Sequence, residues 1–315
     1  MKEGGCAFLF PGQGSQEVGM GKAFCDAFPE AQALWRAAND VLGFELTGVA
    51  FAGPAEALQL TANAQPAILT ASIAAARVLM AHGVVPTAAA GHSLGEYSAL
   101  VLAGSLEFRD AVRLVRRRGE FMQEAVPVGT GAMAALMGPD LATAEALCRE
   151  VSRDSVVVEV ANVNAPEQVV VAGHKQAVEQ VVERAKERGA KRAVMLPVSA
   201  PFHCRLMRPA AERLSRELEG ITIRPPRFPV MRNVDARPYT SPNEVANGLS
   251  AQVASPVRWV ECVQALLQLG VRTFVEVGAG RVLTGLLKRI SDQADGYAVG
   301  DPTSLEKFLA TAWAS

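Results

Sequence analysis

Hydrophobic residues fall in three short runs, each followed by a glycine-containing turn and then by a helical pattern. The runs are Ala7 to Phe10, Thr87 to Ala90 and Thr273 to Val277. A buried strand that leads through a tight turn into a helix is the repeating unit of a parallel sheet with crossover helices. The pattern therefore predicts an α/β domain that draws strands from both halves of the chain.

The middle of the chain has a different order of elements. From Gly131 the pattern predicts a strand, a helix, two strands, a helix and a strand: Ala132 to Met137, Leu141 to Val151, Val156 to Val163, Gln168 to Ala172, Lys175 to Arg188 and Arg192 to Val198. This β-α-β-β-α-β order is that of a ferredoxin-like unit. We therefore expect an inserted subdomain at residues 128–197, with the α/β domain formed by residues 1–127 and 198–315.

Composition narrows the class of protein. Of 315 residues 50% are hydrophobic, and Lys plus Arg total 31 against 32 Asp plus Glu, a net charge of -1. Such a chain can bury a large core, but it has no general positive field for nucleic acid or an anionic membrane. A partner that carries negative charge would have to meet a local cationic patch.

Two apolar segments indicate whether the protein is exported or inserted in a membrane. The run Ala7 to Phe10 is too short for a signal-peptide core, and Pro66 to Met80 contains polar residues and is shorter than the roughly 20 residues of a membrane span. The five cysteines form no C-x-x-C pair, so neither a disulfide framework nor a zinc site is indicated. We expect a soluble cytoplasmic protein without a metal.

The segment Gly91-His92-Ser93-Leu94-Gly95 matches G-x-S-x-G, the pattern of a nucleophile elbow. It follows a predicted strand and opens the helical run Glu96 to Ala103, which is the context that an elbow requires. An ordinary glycine turn is the alternative, but the strand and the helix favour a nucleophilic Ser93.

A nucleophilic serine needs a base, and the chain has four histidines. His82 lies at a predicted helix end and His174 in a turn, while His92 adjoins the serine, and neighbouring side chains at a strand end point in opposite directions. His203 lies where the chain re-enters the α/β domain, so it is the favoured base. A loop histidine bonded to a backbone carbonyl remains the alternative.

No later acidic residue identifies itself as the third member of a triad. Four candidates carry no distinguishing context: Asp235, Glu244, Glu261 and Glu276. A backbone carbonyl could orient the imidazole instead.

The glycine turn Pro11 to Gln16 follows the first predicted strand. It lacks the third glycine of the dinucleotide fingerprint and does not fit the Walker pattern. A backbone N–H from this turn and that of Leu94 could instead form an oxyanion hole, although spacing alone does not establish this.

Arg118 lies within the apolar stripe of the predicted helix Phe108 to Ala125, while Arg116 and Arg117 occupy its polar face. A guanidinium in that position is costly unless an anion meets it, and its geometry suits a carboxylate. A structural pair with a buried Asp or Glu and a substrate contact both satisfy this condition.

These motifs, read in order with Pro201-Phe202-His203 and Glu276-Val277-Gly278, resemble those of malonyl-coenzyme A:acyl carrier protein transacylases from Ala7 to Ile290. The resemblance implies an α/β-hydrolase-like domain with the inserted ferredoxin-like subdomain. It also implies ping-pong transfer of a malonyl group from malonyl-CoA to acyl carrier protein, with coenzyme A thioester as substrate and no cofactor.

The resemblance assigns roles to individual residues. Ser93 would be the nucleophile and His203 the base, and Arg118 would bind the malonyl carboxylate. The remaining roles are the oxyanion-hole N–H groups of Gln13 and Leu94, substrate contacts from Phe202 and His92, and the main-chain carbonyl of Gln252 that orients His203.

Leu94 and Phe202 resemble the malonyl type rather than the methylmalonyl type of acyltransferase. The carrier proteins of the family are acidic, and a cationic rim could meet them: Lys288, Arg289, Arg116 and Arg117. We expect a monomer.

Three alternatives stay open from sequence. The acyltransferase subunit of a malonate decarboxylase would share the chemistry but use another carrier. An α/β-hydrolase esterase shares the elbow, yet its histidine normally lies near the C-terminus, and nothing after His203 is histidine. A catalytically silent scaffold would take no label from malonyl-CoA.

Overall fold

The structure, a computed structural model, describes residues 5–198 and 200–313, so the chain's first four residues lie outside it. The strands are β1 (Cys6–Phe10), β2 (Ala88–Gly91), β3 (Gly131–Met137), β4 (Val158–Ala165), β5 (Gln168–His174), β6 (Arg192–Met195), β7 (Val230–Met231), β8 (Thr273–Val277) and β9 (Asp295–Val299). The α-helices are α1 (Lys22–Ala27), α2 (Pro29–Leu42), α3 (Leu46–Ala52), α4 (Ala55–Gln59), α5 (Thr61–Ala81), α6 (Gly95–Leu102), α7 (Phe108–Glu124), α8 (Leu141–Val151), α9 (Lys175–Ala185), α10 (Arg208–Glu219), α11 (Pro242–Gln252), α12 (Trp259–Gln268), α13 (Val282–Ile290) and α14 (Pro302–Phe308).

A parallel sheet forms the centre of the larger part of the molecule, with strand order β7-β2-β1-β8-β9. The three predicted strands are β1, β2 and β8, each within one residue of its expected bounds. All their residues are buried, as expected for a parallel sheet covered on both faces. Because parallel strands end at the same edge, the turns after β1, β2 and β8 lie close together, and that edge is where such folds bind ligands.

A second, antiparallel sheet has the order β4-β5-β3-β6, with α8 and α9 packed over it around a separate hydrophobic core. The β-α-β-β-α-β order is therefore confirmed, and the chain has the expected α/β class with an inserted subdomain. The exact division at residues 128 and 197 stays a prediction.

Two bounds in this subdomain differ from expectation. β6 ends at Met195 rather than Val198, because Pro197 has no N–H for the ladder, and residues 196–198 turn into a cavity instead. β4 begins at Val158, since Arg153 and Val156 exchange backbone hydrogen bonds in a turn just before it.

Strand β4 also joins the subdomain to the segment between α11 and α12. The N–H of Val163 donates to the carbonyl of Val257 at 2.9 Å, and the N–H of Val257 donates to the carbonyl of Ala161 at 2.9 Å. This pairing holds the end of β4 beside the larger part of the molecule.

α5 is the longest helix that the structure describes. Its 21 residues are apolar enough to cross a membrane by length and composition, but 83% of its most apolar window is buried inside the protein. It is packed against α2 and α7, so its hydrophobic surface is used in the core.

Candidate active site

The elbow lies between β2 and α6, and its glycines are required by close approach of the backbone. A Cβ on Gly91 would lie 1.8 Å from the carbonyl carbon of Gly95, and a Cβ on Gly95 would lie 2.0 Å from the carbonyl oxygen of Phe10. Ser93 itself has φ 52°, a left-handed conformation rare for a side-chain-bearing residue. The turn therefore presents the serine at the end of the sheet.

Ser93 Oγ lies 2.8 Å from Nε2 of His203. On the other side of the ring, Nδ1 of His203 lies 2.9 Å from the main-chain carbonyl oxygen of Gln252, at the end of α11. A carbonyl can only accept, so Nδ1 carries the proton and Nε2 is free to accept the proton of the serine. Burial, together with the charge of Arg118, lowers the pKa of His203 to about 3, which keeps the ring neutral near pH 7.

None of the acidic candidates from sequence orients this histidine. Asp235 pairs with Arg232, Glu244 also lies near Arg232, and Glu261 pairs with Arg258. The fourth candidate, Glu276, accepts from the N–H groups of residues 283 and 284 and so caps α13.

Arg118 is 2% exposed, and its guanidinium is held by neutral partners. Nη1 donates to Gln65 Oε1 at 2.9 Å, while Nη2 donates to Gln252 Oε1 at 2.9 Å and to Ser93 Oγ at 3.1 Å. Its Nε has no hydrogen-bond partner among the residues described. Within residues 5–198 and 200–313 no carboxylate lies in contact with it, although the charge of the buried Glu96, on the far side of Gln252, favours its charged form.

Two backbone N–H groups belong to residues that share the cavity with Ser93. Those of Gln13, in the turn after β1, and Leu94 both lie on residues that line the cavity, and neither has an acceptor within the described part of the chain. The side chain of Gln13 points elsewhere, donating to Thr61 Oγ1 at 3.2 Å. The arrangement offers two free donors to an oxygen bound near Ser93.

These groups open into a cavity of about 440 Å³ between the two sheets. Its polar side includes Ser93, Arg118 and His203, and its apolar side comprises Met122, Met133, Val170, Leu196, Val198, Phe202, Val282, Leu283 and Leu286. Because the volume suits a small acyl group with a slender chain behind it, the cavity is a candidate acyl pocket.

His92 is among the residues that line the cavity with Ser93, and its ring contacts a different set of side chains from the serine. Nε2 of His92 lies 2.8 Å from Oδ1 of Asn164 on β4, and its ring packs against Trp259. His92 thus links the elbow to the inserted subdomain.

The other two histidines have local partners away from the cavity. Nδ1 of His82 lies 2.8 Å from the carbonyl oxygen of Val78 at the end of α5, as expected for a helix-end histidine. Nδ1 of His174 accepts from the N–H of Val157 at 3.0 Å.

A buried polar group behind the elbow was missed from sequence. Glu96, Asn233 and Tyr239 are all less than 5% exposed, and the N–H of Ser93 donates to Asn233 Oδ1 at 2.7 Å. Glu96 could have been noticed as a carboxylate at the start of the otherwise apolar α6, as Arg118 was on α7. Asn233 carries no such signal, because it follows a strand of only two residues.

The candidate carrier-binding cations differ in their surroundings. Arg116 and Arg117 both pair with Glu120, and Arg117 also contacts Glu217. Lys288 and Arg289 are exposed on the last turn of α13, the helix whose first residues line the cavity.

The chain is similar to known acyltransferases over nearly its whole length. Residues 7–301 match the acyl transferase domain family. The malonyl CoA-acyl carrier protein transacylase of Bacillus subtilis (strain 168) is 47% identical over 305 residues, which are 97% of this chain and 96% of that protein.

Two solved structures share the fold. The acyl-carrier-protein S-malonyltransferase of Burkholderia pseudomallei 1710b superposes with a TM-score of 0.94 at 48% identity, covering 97% of this chain and 99% of that one. A malonyl-transacylase in complex with its type II PKS acyl-carrier protein gives a TM-score of 0.94 at 46% identity, with 97% and 99% covered. This similarity of sequence and fold over the whole molecule shows that the chain belongs to the malonyl CoA-acyl carrier protein transacylase family of acyltransferases.

Proposed function

We propose that this protein is an [acyl-carrier-protein] S-malonyltransferase, which moves a malonyl group from malonyl-CoA to the phosphopantetheine thiol of an acyl carrier protein for fatty acid or polyketide synthesis. The observation that carries the proposal is Arg118, a buried cation with no carboxylate in contact among the described residues, bonded to Ser93 Oγ inside the cavity. A substrate that ends in a carboxylate would supply the missing anion.

The first half-reaction follows from the geometry. His203 Nε2 removes the proton from Ser93 Oγ as the oxygen attacks the thioester carbonyl. The N–H groups of Gln13 and Leu94 stabilise the negative charge on the tetrahedral oxygen. When the C–S bond breaks, His203 returns the proton to the sulfur, which releases coenzyme A and leaves a malonyl ester on Ser93.

The second half-reaction reverses these steps with a different thiol. His203 takes the proton of the carrier's phosphopantetheine thiol, the sulfur attacks the ester carbonyl, and the proton returns to Ser93 Oγ. The main-chain carbonyl of Gln252 holds the imidazole in one tautomer and stabilises its charged form in both directions. The chain and the two thiols supply every group that these steps need, so the mechanism uses no cofactor or metal.

We assign different parts of the cavity to different parts of the substrate. Arg118 binds the malonyl carboxylate, and Phe202 borders the acyl chain, while His92 lies on the side of the inserted subdomain. We place the acidic carrier at the mouth of the cavity beside Lys288 and Arg289, and the protein in the cytoplasm as a monomer that binds neither nucleic acid nor membrane.

Two related activities make different predictions. In an esterase, water would hydrolyse the acyl-serine, and a buried guanidinium in the acyl pocket would have no role. A malonate decarboxylase subunit would make the same malonyl-serine but deliver it to another carrier. The choice of acceptor therefore separates all three.

The test is transfer from radiolabelled malonyl-CoA to a purified bacterial acyl carrier protein. We expect label on the holo carrier and none on the apo carrier, which lacks the phosphopantetheine thiol. Free malonate without labelled holo carrier would indicate a hydrolase and overturn the proposal.

A further inference from the structure

Glu96 is a fully buried carboxylate immediately behind the nucleophile, with an exposed fraction of 0%. It does not contact Ser93 Oγ or His203. Instead its Oε2 accepts from Gln252 Nε2 at 2.7 Å and from the N–H of Asn233 at 3.1 Å, and its Oε1 accepts from the hydroxyl of Tyr239. Burial raises the pKa of Glu96 to about 7, while these bonds and the nearby charge of Arg118 favour its ionised form.

One of these bonds, from Gln252 Nε2, is among several contacts that orient the side-chain amide of Gln252. Its Nε2 faces three oxygen acceptors: Glu96 Oε2, the carbonyl oxygen of Ser93 at 2.9 Å and Asn233 Oδ1 at 3.3 Å. Its Oε1 faces a single donor, Nη2 of Arg118 at 2.9 Å. Rotating the amide by half a turn would place NH₂ against the guanidinium and oxygen against the carboxylate, so only one orientation satisfies the site.

The orientation matters because the same guanidinium nitrogen points at the nucleophile. Nη2 of Arg118 donates both to Gln252 Oε1 and to Ser93 Oγ at 3.1 Å. Gln65 holds Nη1, and the amide oxygen of Gln252 holds Nη2, so the two bonds together orient the plane of the guanidinium. Glu96 therefore acts on Arg118 through one intermediate side chain.

We propose that Glu96 is a positioning residue for malonyl selectivity, because its carboxylate locks the Gln252 amide in the orientation that directs Arg118 into the acyl pocket. The inference rests on the proposed function, since it concerns the group that would bind the malonyl carboxylate. The proposed effect passes through the side-chain amide of Gln252, whereas the imidazole of His203 is held by the main-chain carbonyl of the same residue.

The test separates malonyl recognition from serine reactivity. For each variant one measures kcat/KM with malonyl-CoA and the rate at which phenylmethylsulfonyl fluoride, which carries no carboxylate, labels Ser93. Glu96→Met keeps the length of the side chain but removes both oxygens. We expect the malonyl value to fall on the order of 10²-fold, as for a misplaced binding group, while labelling of Ser93 changes little.

Two further variants act as matched controls. Glu96→Gln still offers an oxygen to Gln252 and should restore most of the malonyl activity. Tyr239→Phe removes only the donor to the other carboxylate oxygen, so the ratio of malonyl activity to labelling should stay near that of the unmodified protein.

Gln252→Met removes the amide but keeps the main-chain carbonyl. It should lose malonyl activity to a similar extent, and the double variant with Glu96→Met should be no worse, because both substitutions interrupt the same connection to Arg118. This variant also keeps the inference testable if Glu96→Met does not fold.

Equal losses of malonyl activity and labelling in a folded Glu96→Met protein would overturn the inference. Undiminished malonyl activity in Gln252→Met, or additive losses in the double variant, would overturn it too. Failure of the proposed function looks different: the unmodified protein would be labelled by the sulfonyl fluoride but would transfer no malonyl group.

Discussion

Arg118 and Gln65 meet as a buried guanidinium and a neutral amide oxygen, with Nη1 2.9 Å from Oε1. The same cation has a second amide oxygen and a serine hydroxyl as its other partners, so every contact is uncharged. Burial lowers the pKa of Arg118 but leaves a guanidinium charged at any relevant pH. A site built in this way favours a ligand that brings its own negative charge.

Arg118→Ala tests this directly. Malonyl transfer should collapse while acetyl transfer holds or improves, because acetyl leaves the buried charge unpaired and the variant removes that penalty. The malonyl-to-acetyl ratio of kcat/KM should fall by a factor on the order of 10³. Arg118→Lys should recover little, since one ammonium cannot form two parallel hydrogen bonds.

Arg117→Ala is the matched control, because the neighbouring arginine is 44% exposed and pairs with glutamates on the surface. Its ratio should not change. An unchanged ratio in a folded Arg118→Ala protein would mean that selectivity lies elsewhere.

The acidic limb of the pH profile should lie well below the ordinary pKa of histidine. Burial and the charge of Arg118 lower the pKa of His203 to about 3, so the free enzyme keeps its base unprotonated as the pH falls through 6.5. We expect kcat/KM with malonyl-pantetheine, which has no phosphate to titrate, to stay nearly constant from pH 7.5 to about pH 5.5. A decline centred near pH 6.5 would show that this histidine titrates normally.

His203→Ala serves as the control for this profile. It should be slower on the order of 10²-fold or more, because no base then accepts the serine proton. The pH profile of its residual activity should lack the acidic limb that reports the protonation of His203.

Gly95→Ala should destabilise the fold. The new Cβ would lie 2.0 Å from a backbone oxygen of β1, and neither backbone can give way cheaply. We expect a loss of about 3 kcal/mol or more in the free energy of unfolding by urea. Gly285→Ala on α13 has nothing within 4 Å of its Cβ, and it should be neutral or stabilising by up to about 1 kcal/mol. Equal effects at the two positions would contradict the close approach at the elbow.

Much of this architecture follows from local pattern. The runs that became β1, β2 and β8 are short, apolar and bounded by glycine, and the helix of Arg118 shows a clear apolar stripe. These signals are set by neighbours in sequence, so they survive without knowledge of the tertiary structure. The resemblance then supplied what the pattern could not, such as the main-chain role of Gln252.

The buried hydrogen bonds behind the site could not be predicted from local pattern. Glu96 and Gln252 are 156 residues apart, and Ser93 and Asn233 are 140 apart, so only the sheet order brings them together.

The carrier surface gives a further prediction. Replacing both Lys288 and Arg289 with Ala should raise the carrier KM and flatten its dependence on salt, while the malonyl-CoA half-reaction stays unchanged. These cations lie about 9 Å along α13 from the cavity-lining Val282, within reach of a docked carrier. An unchanged carrier KM would show that Lys288 and Arg289 do not bind the carrier.

The corresponding change of Arg116 and Arg117 is the control. Because Glu120 and Glu217 already neutralise these side chains, their loss should affect the carrier KM less.

The central claim is that the malonyl group is carried on the oxygen of Ser93. Intact-protein mass spectrometry after brief incubation with malonyl-CoA, without carrier, tests it most directly. The unmodified protein should gain the mass of one malonyl group, located by peptide mapping on Ser93, and lose it when holo carrier is added. Ser93→Ala should gain none. A malonyl adduct on Ser93→Ala, or an unmodified protein that transfers malonyl to the carrier without passing through any adduct, would contradict the account.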